Sequence, residues 1–223
     1  MTSSNDGSLR VWDLHTGEQI SNWVDGKVEI RAIALSANGK KVVSGDYDGV
    51  VRLWDIETEE VVAKWTGHKS GVRSVCWNGD GERVLSGSSD GTARVWDVES
   101  GEIVLEIKTG FSSVITAIFS PDSTIIATGG DYWKDERIKI WNASTGELIS
   151  ILKGHTLSVN CLAWTADRLI SGSNDNTIRI WDTSTWQHIA VLTGHTGHVS
   201  DIALSPNGRL LASISWSYWD RSA

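Results

Sequence analysis

The stretch SGSSDGTARVWD, residues 86–97, decides the fold, because segments built like it occur four more times in the chain. Aligned on the tryptophan, the copies read NDGSLRVWD at Trp12, YDGVVRLWD at Trp54, SDGTARVWD at Trp96, KDERIKIWN at Trp141 and NDNTIRIWD at Trp181. The tryptophans stand 42, 42, 45 and 40 residues apart. In every copy an aspartate lies six residues ahead of the tryptophan: Asp6, Asp48, Asp90, Asp135 and Asp175. Ahead of that aspartate an apolar segment ends in a small hydroxyl, as at Ser44, Ser86, Thr128 and Ser171.

Each period contains four short runs rich in β-branched residues and separated by turn-forming residues. In the third block the runs are about 72–77, 82–87, 92–97 and 102–107, with turns at NGDG, SSDG and VESG. Helices are not supported, because the apolar runs are short and glycine interrupts each one. A four-stranded antiparallel sheet cannot bury both faces by itself. Repeated sheets therefore stack, and stacking twisted sheets about an axis gives an all-β propeller.

Composition agrees with one soluble repeat array. The 223 residues are 40% hydrophobic and 22% charged, and 13 of them are tryptophan. The net charge of −8 disfavours neutralising nucleic-acid phosphates or docking on an anionic membrane. No apolar run approaches the roughly 20 residues of a membrane helix, and the N-terminus lacks the features of a signal peptide. The chain reads as intracellular, cytoplasmic or nuclear. Cys76 and Cys161 lie in the apolar contexts SVCWN and VNCLAW, as small core residues do. No metal-ligand spacing or cofactor motif is present, so neither a metal nor a cofactor is expected.

The segment GHKSGVRSVCWNGDGERVLSGSSDGTARVWD, residues 67–97, closely resembles the repeat of the WD-repeat β-propeller family, and the likeness covers nearly all of the chain. The resemblance implies a hydrogen-bonded tetrad of His, Ser or Thr, Asp and Trp inside a blade. His68, Ser86, Asp90 and Trp96 match it, as do His155, Ser171, Asp175 and Trp181. His, Ser and Asp also make up a hydrolase triad, but the trio recurs in a second blade whereas one active site needs one copy. The stretches WVDGKVE (23–29) and KTGFSSV (108–114) lack the histidine, so the tetrads of those blades are expected to be incomplete and the blades less stable.

The sequence reading gives blades at about 26–65, 67–107, 110–152 and 154–192, with a split blade formed by 195–223 and 1–23. Asp6 and Asp220 lie 214 residues apart, five repeats of about 43. Four intact blades plus one divided between the termini follow, either as a closed ring or as a truncated arc. An open ring would leave strand edges at 8–12 and 209–215, and self-association through those edges is then expected.

The family resemblance places partners on the rim that carries the turns between second and third strands. Two of those turns are longer and bear aromatics: GGDYWKDERI with Tyr132, Trp133 and Lys134, and SWSYWDRS with Trp216, Tyr218 and Trp219. Exposed Trp and Tyr are over-represented at binding hot spots. Arg31, Arg73, Asn160 and Asp201 begin the innermost strands, where the family tends to make contacts near its central opening. Trp186, at the opposite rim, is expected to cover a strand end, and Asn142, in place of the Asp of the Trp-Asp pair, is given no function. The function expected is a non-catalytic scaffold that binds a protein or peptide on its rim within a multiprotein assembly. The alternative is a small-ligand or glycan binder using the aromatic turns.

Overall fold

The computed structural model describes residues 1–130 and 137–217, and all regular structure among them is β. Among the described residues no helix is long and apolar enough to cross a membrane. The chain divides into two compact units, Met1–Gly110 and Phe111–Ala223.

The first unit begins with a three-stranded sheet, β1 (Thr2–Ser3), β2 (Ser8–Trp12) and β3 (Gln19–Val24), in that order. Two four-stranded antiparallel sheets follow. One holds β4 (Ile30–Leu35), β5 (Lys41–Asp46), β6 (Val51–Asp55) and β7 (Val61–Trp65). The other holds β8 (Val72–Trp77), β9 (Arg83–Ser88), β10 (Thr92–Asp97) and β11 (Ile103–Lys108), within one residue of the strands read from the sequence.

In the second unit, β12 (Val114–Phe119), β13 (Ile125–Gly130), β14 (Ile138–Asn142) and β15 (Leu148–Leu152) form one sheet. A further sheet contains β16 (Val159–Trp164), β17 (Arg168–Ser173), β18 (Ile178–Asp182) and β19 (His188–Leu192). The last contains β20 (His198–Leu204) and β21 (Leu211–Trp216) alone. The strands read as a split blade thus lie in two sheets. Along β2 runs β1, a strand absent from the sequence reading, which pairs Thr2 with Arg10 and Ser3 with Leu9.

Burial follows strand rank. The second strands of the four-stranded sheets are buried on both faces, as in β9 and β17, whereas β21 is mostly exposed. The fourth strands alternate exposed and covered residues, as edge strands do. Each core lies between neighbouring sheets: Val51, Leu53 and Trp65 of one sheet close on Val72, Val84 and Trp96 of the next. Ile138, Ile140 and Leu152 close in the same way on Val159, Leu169 and Trp181. The approach requires glycine after the small hydroxyl of the second strand. A Cβ on Gly129 would stand 2.8 Å from Val159 Cγ1, and one on Gly172 would stand 2.7 Å from Val199 Cγ1.

Two irregularities recur. Every third-to-fourth strand pair shifts register just before its tryptophan, at Val11/Trp12, Leu53/Trp54, Val95/Trp96, Ile140/Trp141 and Ile180/Trp181. Every first strand carries a bulge near its start, at Arg31, Arg73, Ile115, Asn160 and Ser200. Bulges increase twist and re-aim a side chain, which is what a sheet coiling round its neighbours needs.

The Asp of each Trp-Asp pair caps the turn to the fourth strand. Asp55 Oδ1 accepts the N–H groups of Glu57 and Thr58, and Asp182 Oδ1 accepts those of Ser184 and Thr185. Asn142 Oδ1 accepts the same two N–H groups from Ser144 and Thr145, both at 2.9 Å. Only one carbonyl-type oxygen is used, so asparagine serves equally.

Candidate functional site: buried tetrads and an aromatic rim

In the β8–β11 sheet, His68 Nδ1 lies 3.0 Å from Asp90 Oδ2 and Nε2 lies 2.7 Å from Ser86 Oγ. The Trp96 indole N–H donates to the same Ser86 oxygen at 2.7 Å. Donors and acceptors balance along one line: indole to serine, serine to Nε2, and the Nδ1–H to the carboxylate. The β16–β19 sheet repeats the arrangement, with His155 2.8 Å from both Asp175 and Ser171, and Trp181 donating to Ser171 at 3.0 Å.

The connectivity is triad-like, and its groups are committed to buried hydrogen bonds. Ser86 and Ser171 are fully buried, both histidines are buried, and each serine oxygen already accepts an indole N–H where a substrate would have to approach. Burial pushes the His68 imidazole below its ordinary value, and the attraction of Asp90 does not overcome that. Burial alone would raise the Asp90 carboxyl. Hydrogen bonds from the Thr92 hydroxyl, the Lys69 and Thr92 backbone and His68 outweigh it and hold the group well below the ordinary carboxylate range. Asp175 is lowered too, against burial, by His155, Thr177 and the Thr156 N–H.

These shifts set an acid dependence. A histidine whose folded value is depressed stabilises fully above its ordinary 6.5 and loses that contribution as pH falls, and depressed carboxylates do the same below their ordinary 3.8. The unfolding free energy from urea titrations is expected to be flat above about pH 7, to fall below about 6.5 by up to about 1.4 kcal/mol per pH unit per proton, and to fall more steeply below about 4. His68→Gln should remove most of the first stage, and an unchanged profile in that variant would refute the assignment.

The sheets without histidine solve the same problem differently. Trp54 donates to Ser44 at 2.8 Å, and Trp141 to Thr128 at 2.8 Å, so the indole–hydroxyl half persists. Where the histidine would stand in the β4–β7 sheet the chain has Asp25-Gly26. Asp25 binds Arg52 Nε at 2.7 Å and Lys64, and Arg52 Nη1 donates to buried Asp46. Asp48, which stands six residues ahead of Trp54, is exposed. In the β12–β15 sheet the Lys139 ammonium sits 4.2 Å from the centre of the Phe111 ring.

On the rim, the position three residues after the tetrad hydroxyl faces outward. In the β4–β7 sheet it is Tyr47, 54% exposed, with the Arg31 guanidinium 4.4 Å over its ring and paired to Glu29. In the last sheet it is Trp216, 47% exposed, with His198 edge-on at 5.8 Å. In the β16–β19 sheet it is Asn174, whose side-chain oxygen accepts from Asn160 at 2.6 Å while its backbone oxygen meets His198 Nδ1 at 2.6 Å.

The bulged residue and the turn residue of one sheet therefore meet, Arg31 with Tyr47 and Asn160 with Asn174. Arg73 occupies the bulge of β8, whereas Asp201 stands one residue past the bulge of β20, in register with Ile214, and the bulge residue is Ser200. Tyr132, Trp133, Lys134, Tyr218 and Trp219 lie outside the described residues. Tyr47 escaped the sequence reading because its turn has no extra length. The signal that marks it is its place three residues after Ser44, the place Trp216 holds after Ser213. At the opposite rim Trp186 is half-buried, with its ring edge-on to Trp164 at 6.1 Å. Cys161 is buried, which pushes its thiol up to about 12.

Comparison with known proteins adds the family. The family model described as "WD domain, G-beta repeat" matches residues 18–55, 59–97, 103–142, 146–182 and 186–223. A WD repeat-containing protein WDS homolog of Arabidopsis thaliana is 36% identical over 59 residues, which cover 25% of this chain and 11% of that protein. Periodic tryptophan protein 2 of Arabidopsis thaliana is 39% identical over 61 residues, 26% of this chain and 6% of that one. The matched part thus spans about a tenth or less of either relative. With five matched repeats over most of its length and the tetrad geometry in two of its sheets, the chain belongs to the WD-repeat family.

Proposed function

We propose that the chain is a non-catalytic scaffold that holds a protein or peptide partner on the rim carrying the turns between second and third strands, as part of a multiprotein assembly. WD repeats generally mediate protein–protein interactions in assemblies. The observation that carries the choice of rim is the exposed Tyr47 with Arg31 stacked on it, matched in position by exposed Trp216. Aromatic and arginine side chains are enriched among the anchors of protein interfaces. The His, Ser and Asp groups that resemble a catalytic set are committed to buried hydrogen bonds, which supports binding over catalysis.

Affinity capture from a cell extract by the wild-type chain and by Arg31→Ala/Tyr47→Ala and Trp133→Ala variants tests this reading, with Trp186→Ala as the opposite-rim control. The rim variants are expected to lose a common set of proteins about 30-fold, the effect of removing a hot-spot side chain. Equal loss in Trp186→Ala, or no loss in any variant, would overturn the choice of rim.

A further inference from the structure

One cation of the repeat lacks the partner that its counterparts have. A basic residue stands two places before the tryptophan in every copy: Arg10, Arg52, Arg94, Lys139 and Arg179. Arg10 pairs with Asp6 at 2.8 Å, Arg52 with Asp25 at 2.7 Å and Arg94 with Glu106 at 2.8 Å, while Lys139 sits over the Phe111 ring. Among the described residues Arg179 has no acceptor, and its Nε–H is buried without one.

The β8–β11 sheet shows what is missing. Arg94 lies directly opposite Glu106 of β11, whose Oε2 accepts from Nε at 3.0 Å and from Nη2 at 2.8 Å. Arg179 is held in the same place. A Cβ on Gly67 would stand 3.2 Å from both Arg94 Nη1 and Trp96 Cη2, and one on Gly154 would stand 2.5 Å from Arg179 Nη1 and 3.3 Å from Trp181 Cη2. Opposite Arg179, however, stands Val191, which is 38% exposed and has no side-chain acceptor. The carboxylate four residues before it, Asp175, is already taken by His155, Thr177 and the Thr156 N–H. Of the three guanidinium nitrogens only Nε is sealed from solvent, so Nη1 and Nη2 are open to an incoming group. Lys153, which precedes Gly154, is exposed and adds a second positive charge.

We infer that Arg179 is a docking point for a carboxylate carried by an acidic segment of a partner protein, which takes the place that Glu106 holds beside Arg94. A guanidinium fixed by its packing on Gly154 and Trp181, with all its donors free, is a pre-organised fork for a carboxylate, and little order is lost when one arrives. A buried N–H without an acceptor costs free energy that the incoming oxygen recovers. The approach is open, because β19, which carries Val191, is the edge strand of its sheet. The inference does not rest on the rim reading, since Arg179 and Val191 lie within β18 and β19 and in no turn between second and third strands.

The sealed Nε–H of Arg179 gives its own proton–nitrogen NMR cross-peak, identified by its loss in Arg179→Gln. On titrating the whole chain with acetyl-tetraglutamate amide at constant ionic strength, that peak is expected to shift saturably with a Kd of about 1 mM, the strength of a pair of charge-assisted hydrogen bonds. Acetyl-tetralysine amide should leave it in place. Val191→Glu, which builds the Glu106 arrangement into this sheet, should weaken binding of the glutamate peptide about 10-fold or more, whereas Val191→Met, of similar length and neutral, should keep it within about 2-fold. A peak that ignores the glutamate peptide, or follows the lysine peptide equally, overturns the inference, as does binding that Val191→Glu leaves intact. Inorganic phosphate bound more tightly than the peptide would assign the fork to a phosphate group and overturn the carboxylate. Capture of rim partners plays no part in this readout, so failure here leaves the rim reading standing.

Discussion

Asp46→Ala is expected to destabilise the β4–β7 sheet by about 3 kcal/mol, while Asp48→Ala, two residues away, changes stability by less than about 0.5 kcal/mol. Asp46 is buried, its Oδ1 accepts the Val50 N–H at 2.8 Å, and its Oδ2 pairs with Arg52. The Arg52 side chain is itself nine-tenths buried and has one other carboxylate, Asp25, at 2.7 Å. Removing one member of a buried pair strands the other charge, which costs about 3–5 kcal/mol, and the remaining bond to Asp25 places this case at the lower end. Asp48 points to solvent and has no comparable role. Urea midpoints of the two variants, with amide exchange across β5 and β6, check the contrast. Equal effects would mean that Asp48 carries the tetrad function despite its exposure.

That contrast marks where the sequence could be read and where it could not. The period of the tryptophans and the short β-branched runs specify four-stranded sheets that must stack, and the third block was legible strand by strand. Counting back six residues from tryptophan found Asp90 and Asp175, because in those blades a histidine stands opposite and requires a partner. The same count picked Asp48, because a count does not register that Gly26 occupies the place of the histidine and leaves that position without an imidazole. Asp46 takes over through Arg52, one of the basic residues that stand two places before the tryptophan in every copy, and the count gives no reason to pair it with Asp46 rather than Asp48. Extra turn length drew the reading to Trp216, which is exposed, and passed over the equally exposed Tyr47, where an ordinary turn carries the ring. Asp201 was chosen over Ser200 because a bulge is a property of pairing between strands, and a single strand does not display its register. β1 went unseen for a related reason. Two residues make no periodic signal, and only their pairing with Arg10 and Leu9 defines the strand.

Trp96→Ala is expected to cost about 4 kcal/mol, the largest effect of any single substitution proposed, because packing and hydrogen bonding fail together. The ring stacks on Trp65 with centroids 5.9 Å apart and planes 16° from parallel, meets His68 edge-on at 6.0 Å, and seals the joint between two sheets. Truncation to alanine opens a cavity between them that neither can fill without moving β9 or β6. Trp96→Phe separates the two contributions. It keeps an aromatic ring in the joint and removes the indole N–H with part of the ring volume, and Ser86 still has His68, so the expected cost is about 1–2 kcal/mol. Since Trp96 belongs to one sheet and covers another, the alanine variant should accelerate amide exchange in β6 and β7 as well as in β9 and β10. Repeats stabilised mainly by their contacts with neighbours must behave in this way. Acceleration confined to β8–β11 would instead mean that each sheet is held chiefly by its own ladder, and the tetrad would then be a local turn clamp with no part in joining one repeat to the next.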